Sequence, residues 1–91
     1  MSPITDNQKQ TLNNKADNLR LFKSLDQVDW PNLEKWINWL KQVNDKEIAS
    51  DLLDAWASAD MPNNPNHSCN LNNLNVFLRV CKQYQLIQLL T

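Results

Sequence analysis

His67, Cys69 and Cys81 are the imidazole and thiol groups of this chain of 91 residues, so metal or nucleophilic chemistry would start with them. Zinc takes four protein ligands, or three and a water, usually from paired short spacings. Here one H-x-C pair stands apart from a single cysteine at an apolar helical position. That set is too small for a metal site, and the expectation is no metal and no cofactor. Cys81 reads as a small core hydrophobe, His67 and Cys69 as loop residues. A cysteine nucleophile needs an adjacent base held by a third group, and two loop residues in H-x-C offer no such orienter. Paired acid and base residues in a convincing pocket are also missing, so the chain reads as a non-enzyme.

Charge offers a different chemistry. Glu47, Asp51 and Asp54 stand at i, i+4 and i+7, which sets three carboxylates on one helix face, extended by Ser58. Such a face is either simply solvated or one half of an electrostatic docking surface. Complements within the chain are Lys15, Arg20 and Lys23 near its start, or Arg79 and Lys82 near its end. Complementary patches on one small domain permit head-to-tail association. The same acids argue against a helix-turn-helix DNA reader, because the recognition helix would present carboxylates to phosphate. A formal net charge of −1 likewise gives no reason to expect nucleic acid or an anionic membrane as partner. Trp39 is a further candidate for contact, at the edge of its helix face.

These residues must be positioned by helices. Glycine is absent, which removes every glycine-rich phosphate loop and makes tight hairpins improbable. β-branched residues are sparse, and no alternating run is long enough for a strand. The fold class is therefore all-α: a compact bundle of five to six helices in one domain spanning 6–91, with 1–5 frayed. Asparagine, in this reading, supplies the left-handed caps that glycine usually provides.

The strongest helix is the stretch 30–43, W-P-N-L-E-K-W-I-N-W-L-K-Q-V, which holds three of the four tryptophans. Leu33, Trp36, Ile37, Leu40 and Val43 recur at helical spacing, with Pro31 at the first turn and Asp29 or Trp30 as the cap. Trp36 is expected to be a core anchor, buried with Leu40, Leu52, Trp56, Leu74, Leu78 and Cys81. A first helix is expected from Thr5 or Asp6 to about Leu25. Its two apolar sets, Leu12, Ala16, Leu19 and then Leu21, Phe22, Leu25, do not share a stripe, which implies a bend near Leu19 or burial on several sides. Asn44 and Glu47 resemble a capping box for a third helix that reaches about Asp60. Ile48, Leu52, Ala55, Trp56 and Ala59 form its inner face, and Pro62 prevents continuation. The stretch 61–69, M-P-N-N-P-N-H-S-C, reads as a loop with Ser68 or Asn70 as the next cap. Leu71, Leu74, Phe77, Leu78, Cys81 and Tyr84 then lie on one side of a helix, with Val76 and Val80 nearly opposite. That implies packing on two sides, then a break at 82–85 before a short last helix with Leu86, Ile87, Leu89 and Leu90.

The polar start carries no secretory pattern, and no stretch is long and apolar enough to span a bilayer. Two cysteines without an export signal are most simply free thiols, so the expected location is cytoplasmic. D-W-P-N-L-E-K-W-I at 29–37, I-A-S-D-L-L-D-A-W at 48–56 and L-N-N-L-N-V-F-L-R-V-C-K-Q-Y-Q-L-I-Q-L-L at 71–90 together resemble the death-fold superfamily and the related effector-associated domains. The order of a helix ending in L-L-x-x-W, a loop, a long apolar helix and a short terminal one is similar to theirs. The resemblance implies homotypic helical assembly without enzyme activity. The reading is a non-enzymatic protein-interaction module or adaptor that assembles through charged helix faces, with a protein partner, a second copy of the chain being one candidate. The alternative is a small helical inhibitor or regulator of a larger complex.

Overall fold

A computed structural model describes residues 3–25, 27–62 and 71–90. Among them the chain forms four α-helices and one 3-10 helix, with no strand. The all-α class holds, while the expected five to six helices reduce to α1 (Asp6–Asn18), a 3-10 segment (Leu19–Ser24), α2 (Trp30–Gln42), α3 (Lys46–Ser58) and α4 (Leu71–Leu90). α1 packs on α2 and α3, and α4 packs on α3 and α2, so the four helices close a ring around one core.

The starts of α1, α2 and α3 each have an identifiable cap. Thr5 and Gln8 make a reciprocal capping box at α1. Asp29 accepts from the Asn32 N–H, with Pro31 in the first turn of α2 as expected. The cap of α3 is Asp45 rather than Asn44: its carboxylate accepts from the N–H groups of Glu47 and Ile48. Aspartate is an N-cap as good as asparagine, and a shift of one residue satisfies two helix-end donors at once. The Ile4 N–H donates to the Asn44 carbonyl and Pro3 bridges Asp45.

The mismatch of apolar stripes in the first helix is resolved at Leu19. There the α-helix gives way to the tighter 3-10 form, which rotates Phe22 into the core beside Leu12, Ala16 and Leu19. α2 buries Leu33, Ile37 and Leu40. Trp36 does not join them. It is half-buried, as are Trp39 and Leu78, and its ring meets Trp39 edge-to-face with centroids 6.1 Å apart. The helical face is wider than the surface its neighbours cover, so the bulky rings fall on the rim. The deep tryptophan is Trp56 on α3, edge-to-face with the equally buried Phe77 at 5.0 Å.

α3 ends in a Schellman motif. The Met61 N–H reaches the Trp56 carbonyl and the Asp60 N–H reaches Ala57, with Asp60 at φ 53°. Aspartate, not the expected asparagine, takes this left-handed position. The stretch 63–70, with His67, Cys69, Ser68 and Asn70, lies outside the described residues.

α4 runs unbroken through 82–85. Lys82, Gln83, Tyr84 and Gln85 include no helix breaker, and the backbone ladder is indifferent to which side chains it leaves in water. Apolar exposure is the consequence: Val76, Leu86 and Ile87 are 49%, 52% and 51% exposed. The expected burial of both sides of this helix therefore fails at Val76.

Candidate docking surface

The outer face of α3 follows directly from its inner one. Ala49, Leu52 and Trp56 turn toward the core, which sends Glu47, Asp51 and Asp54 outward, and all three are exposed. Among the described residues no cation makes an ion pair with any of them. An open depression beside the first turn of α3 is lined by Lys46, Glu47, Ser50 and Asp51. Ser50 is already engaged there, accepting from Gln8 Nε2 at 2.6 Å and so tying α1 to α3.

Asp51 has a role that spacing could not reveal. The Tyr84 hydroxyl of α4 donates to its carboxylate, which locks α3 to α4 on the outer side of their seam. The bond to Asp51 raises the Tyr84 phenol above its ordinary value of 10.0, with burial and the nearby negative charge adding to the effect. Helical spacing alone places Tyr84 on the inner face of α4 and gives no sign of this bond.

The basic candidates lie elsewhere and are mostly occupied. Arg20 and Lys23 sit on the 3-10 segment, which packs on α1 and α2. Arg20 Nη1 and Lys41 Nζ each stand 2.6 Å from Asp17 Oδ1, and Arg20 Nε is 3.8 Å from Glu34. Lys41 first, and Arg20 with it, hold the Asp17 carboxyl below the ordinary carboxylate range. The Lys23 ammonium lies 5.7 Å from the centre of the Trp30 ring, and that of Lys15 lies 5.7 Å from the Trp56 ring. The structure thus keeps the three acids together and turns Arg20 and Lys23 toward internal partners. Arg79 and Lys82 on α4 are exposed and make no ion pair among the described residues. Trp39 is half-buried against Trp36, on a different helix from the acids.

A second hollow opens between the start of α2 and the first half of α4. Val28, Leu33, Leu71, Leu74 and Leu78 wall it, with Asn32 and Asn75 among its polar lining. Its one acid, Asp29, is spent as the α2 cap. Cys81 is fully buried, and burial pushes its thiol far up in pKa, so it is held protonated. No group of three metal-ligating side chains occurs among the described residues, and no described helix is long and apolar enough to cross a membrane. Comparison with protein-family models, curated proteins and solved structures finds no match to this chain.

Proposed function

We propose that this domain is a non-enzymatic protein-interaction module that docks through the outer face of α3. The observation that carries the reading is the combination found there. Glu47 and Asp54 are exposed, unpaired among the described residues and unneeded by the core, and the half-exposed flank of α4 lies across the same seam. Acidic surface beside apolar surface suits a partner that brings cations and a few apolar side chains. The death-fold resemblance of 29–37 and 48–56 lends the proposal a homotypic, death-like form in which the partner is a second copy.

The test is sedimentation of the wild type and of Glu47→Lys with Asp54→Lys, at low and high salt. These two substitutions leave the Asp51–Tyr84 bond in place. Association that weakens as salt rises, and is lost in the double variant with helicity intact, supports docking through α3. Screening shortens the reach of these charges from about 10 Å at 0.1 M salt to about 3 Å at 1 M. Association indifferent to both the substitutions and salt removes the acidic face from the account.

A further inference from the structure

α4 carries a second stripe that the fold leaves uncovered. Val76, Val80, Gln83 and Ile87 follow one another at intervals of four, three and four residues, the repeat of a coiled-coil seam. Val76 and Ile87 are half-exposed, Gln83 is exposed and Val80 is only partly covered. At about 100° per residue these four fall within roughly 60° of one another, on the side of α4 turned away from Leu74 and Cys81.

We infer that this stripe is the seam of a parallel two-fold dimer, in which α4 of one copy packs along α4 of a second copy. The seam deepens the proposed interaction role and rests on it. In heptad terms Val80 and Ile87 occupy a positions, where β-branched side chains favour two parallel strands. Val76 and Gln83 occupy d. The flanking positions then fix the partner's direction. Arg79 falls at g and Tyr84 at e, and in a parallel pair g of one strand lies beside e of the next heptad of the other. Arg79 therefore meets Tyr84 of the second copy, and Tyr84 is the residue that holds Asp51. The exposed guanidinium of each copy reaches the outward carboxylate of the other, twice per dimer. Leu86, at the following g position and half-exposed, is covered by the second copy's α3. An antiparallel pair sets e beside e and brings the two acidic α3 faces together, which their charges oppose.

The charges supply a decisive experiment. Arg79→Glu alone faces Asp51 twice, and Asp51→Arg alone faces Arg79 twice, so each variant is a monomer. Mixed in equal amounts they satisfy both contacts and form a heterodimer. Light scattering from micromolar to millimolar protein should show the wild type doubling in mass, each variant monomeric, and the mixture restored. Ile87→Glu should abolish pairing, with Ile87→Gln as a milder substitution should the first disturb helicity. Val80→Cys with Cys69→Ser should cross-link to itself on oxidation, since a faces a across a parallel seam. A wild type monomeric over that range overturns the dimer, as does a mixture that stays monomeric. A dimer that ignores both Ile87 substitutions, yet is lost on reversing Glu47 and Asp54, overturns the α4 seam while leaving docking through α3 standing.

Discussion

The Tyr84 hydroxyl on α4 donates to the Asp51 carboxylate on α3, joining two helices across 33 residues of sequence. The bond lies at the outer edge of a seam whose inner side is the Trp56–Phe77 contact. It therefore sets the angle between the helices at solvent while the core sets their distance. Tyr84→Phe keeps the ring and removes the donor. The expected loss is about 0.5–1 kcal/mol, toward the low end for a hydrogen bond because water competes at this site. Thermal unfolding of the two proteins checks it.

Alkali should act on the same bond. The folded phenol titrates above its unfolded value near 10, so its contribution is complete below that value and is lost as pH rises through the folded one. Tyr84 is the single tyrosine, so tyrosinate absorbance reads this group alone. Its midpoint should lie above that of the urea-unfolded chain, and Asp51→Asn should narrow the gap, leaving the part that burial causes.

Acid works where α1 meets α2. Lys41 and Arg20 depress the Asp17 carboxyl, so its contribution is present above the unfolded carboxylate value and fades as pH falls through the lower folded one. Lys41→Met should flatten the acid limb of stability against pH while leaving the alkaline limb unchanged. Unfolding midpoints measured across the pH range test both limbs at once.

Helix existence was largely legible, and tertiary relations were not. Pro31, Asp29 and the Leu33–Ile37–Leu40 spacing specify α2 locally, and they do so in the structure. The cap of α3 slipped by one residue because Asn44 and Asp45 are adjacent and chemically alike. The bend in the first helix was visible as two incompatible stripes, although its 3-10 form was not. Periodicity locates the centre of each apolar face and says nothing of how far neighbours cover it, which is why Trp36 and Val76 read as interior residues from sequence alone. The Asp51–Tyr84 bond depends on the register between two helices, for which no local pattern exists. Of the candidate surface residues, the acids of α3 are readable from spacing alone, and so is the i, i+3 pairing of Arg20 with Asp17, while the reach of Arg20 to Glu34 needs the packing of the 3-10 segment on α2.

The position of Trp36 on the rim gives an ordering of core substitutions. Leu40 is wholly buried, and Leu40→Ala should cost about 2–5 kcal/mol through lost transfer energy and the cavity left behind. Trp36→Ala opens onto solvent, leaves no closed cavity and should cost less than Leu40→Ala despite removing a larger side chain. Urea denaturation with a common m-value ranks the two, and the reverse order would place Trp36 in the core.

The final prediction concerns the end of α3. Asp60 holds φ at 53° in a chain without glycine. A Cβ in the left-handed region costs roughly 1–2 kcal/mol, less for aspartate, which tolerates that region better than most residues. Its carboxylate also stands at the carbonyl end of the helix, where negative charge is unfavourable by up to about 1 kcal/mol. Asp60→Gly relieves both and keeps the Schellman hydrogen bonds from Asp60 N–H to Ala57 and from Met61 N–H to Trp56. Against this stands the greater freedom glycine gives the unfolded chain, worth about 0.4–1 kcal/mol. The net expectation is a gain of roughly 0.5–1 kcal/mol, or several degrees in Tm for a domain this small. Asp60→Asn removes only the charge and should fall between wild type and Asp60→Gly. Asp60→Val adds a β-branched side chain at positive φ and should lower Tm. Melting curves of the four proteins at low and high salt separate the two causes, because salt screens the charge and leaves the backbone strain untouched. A drop in Tm for Asp60→Gly would mean that the aspartate side chain itself holds the turn.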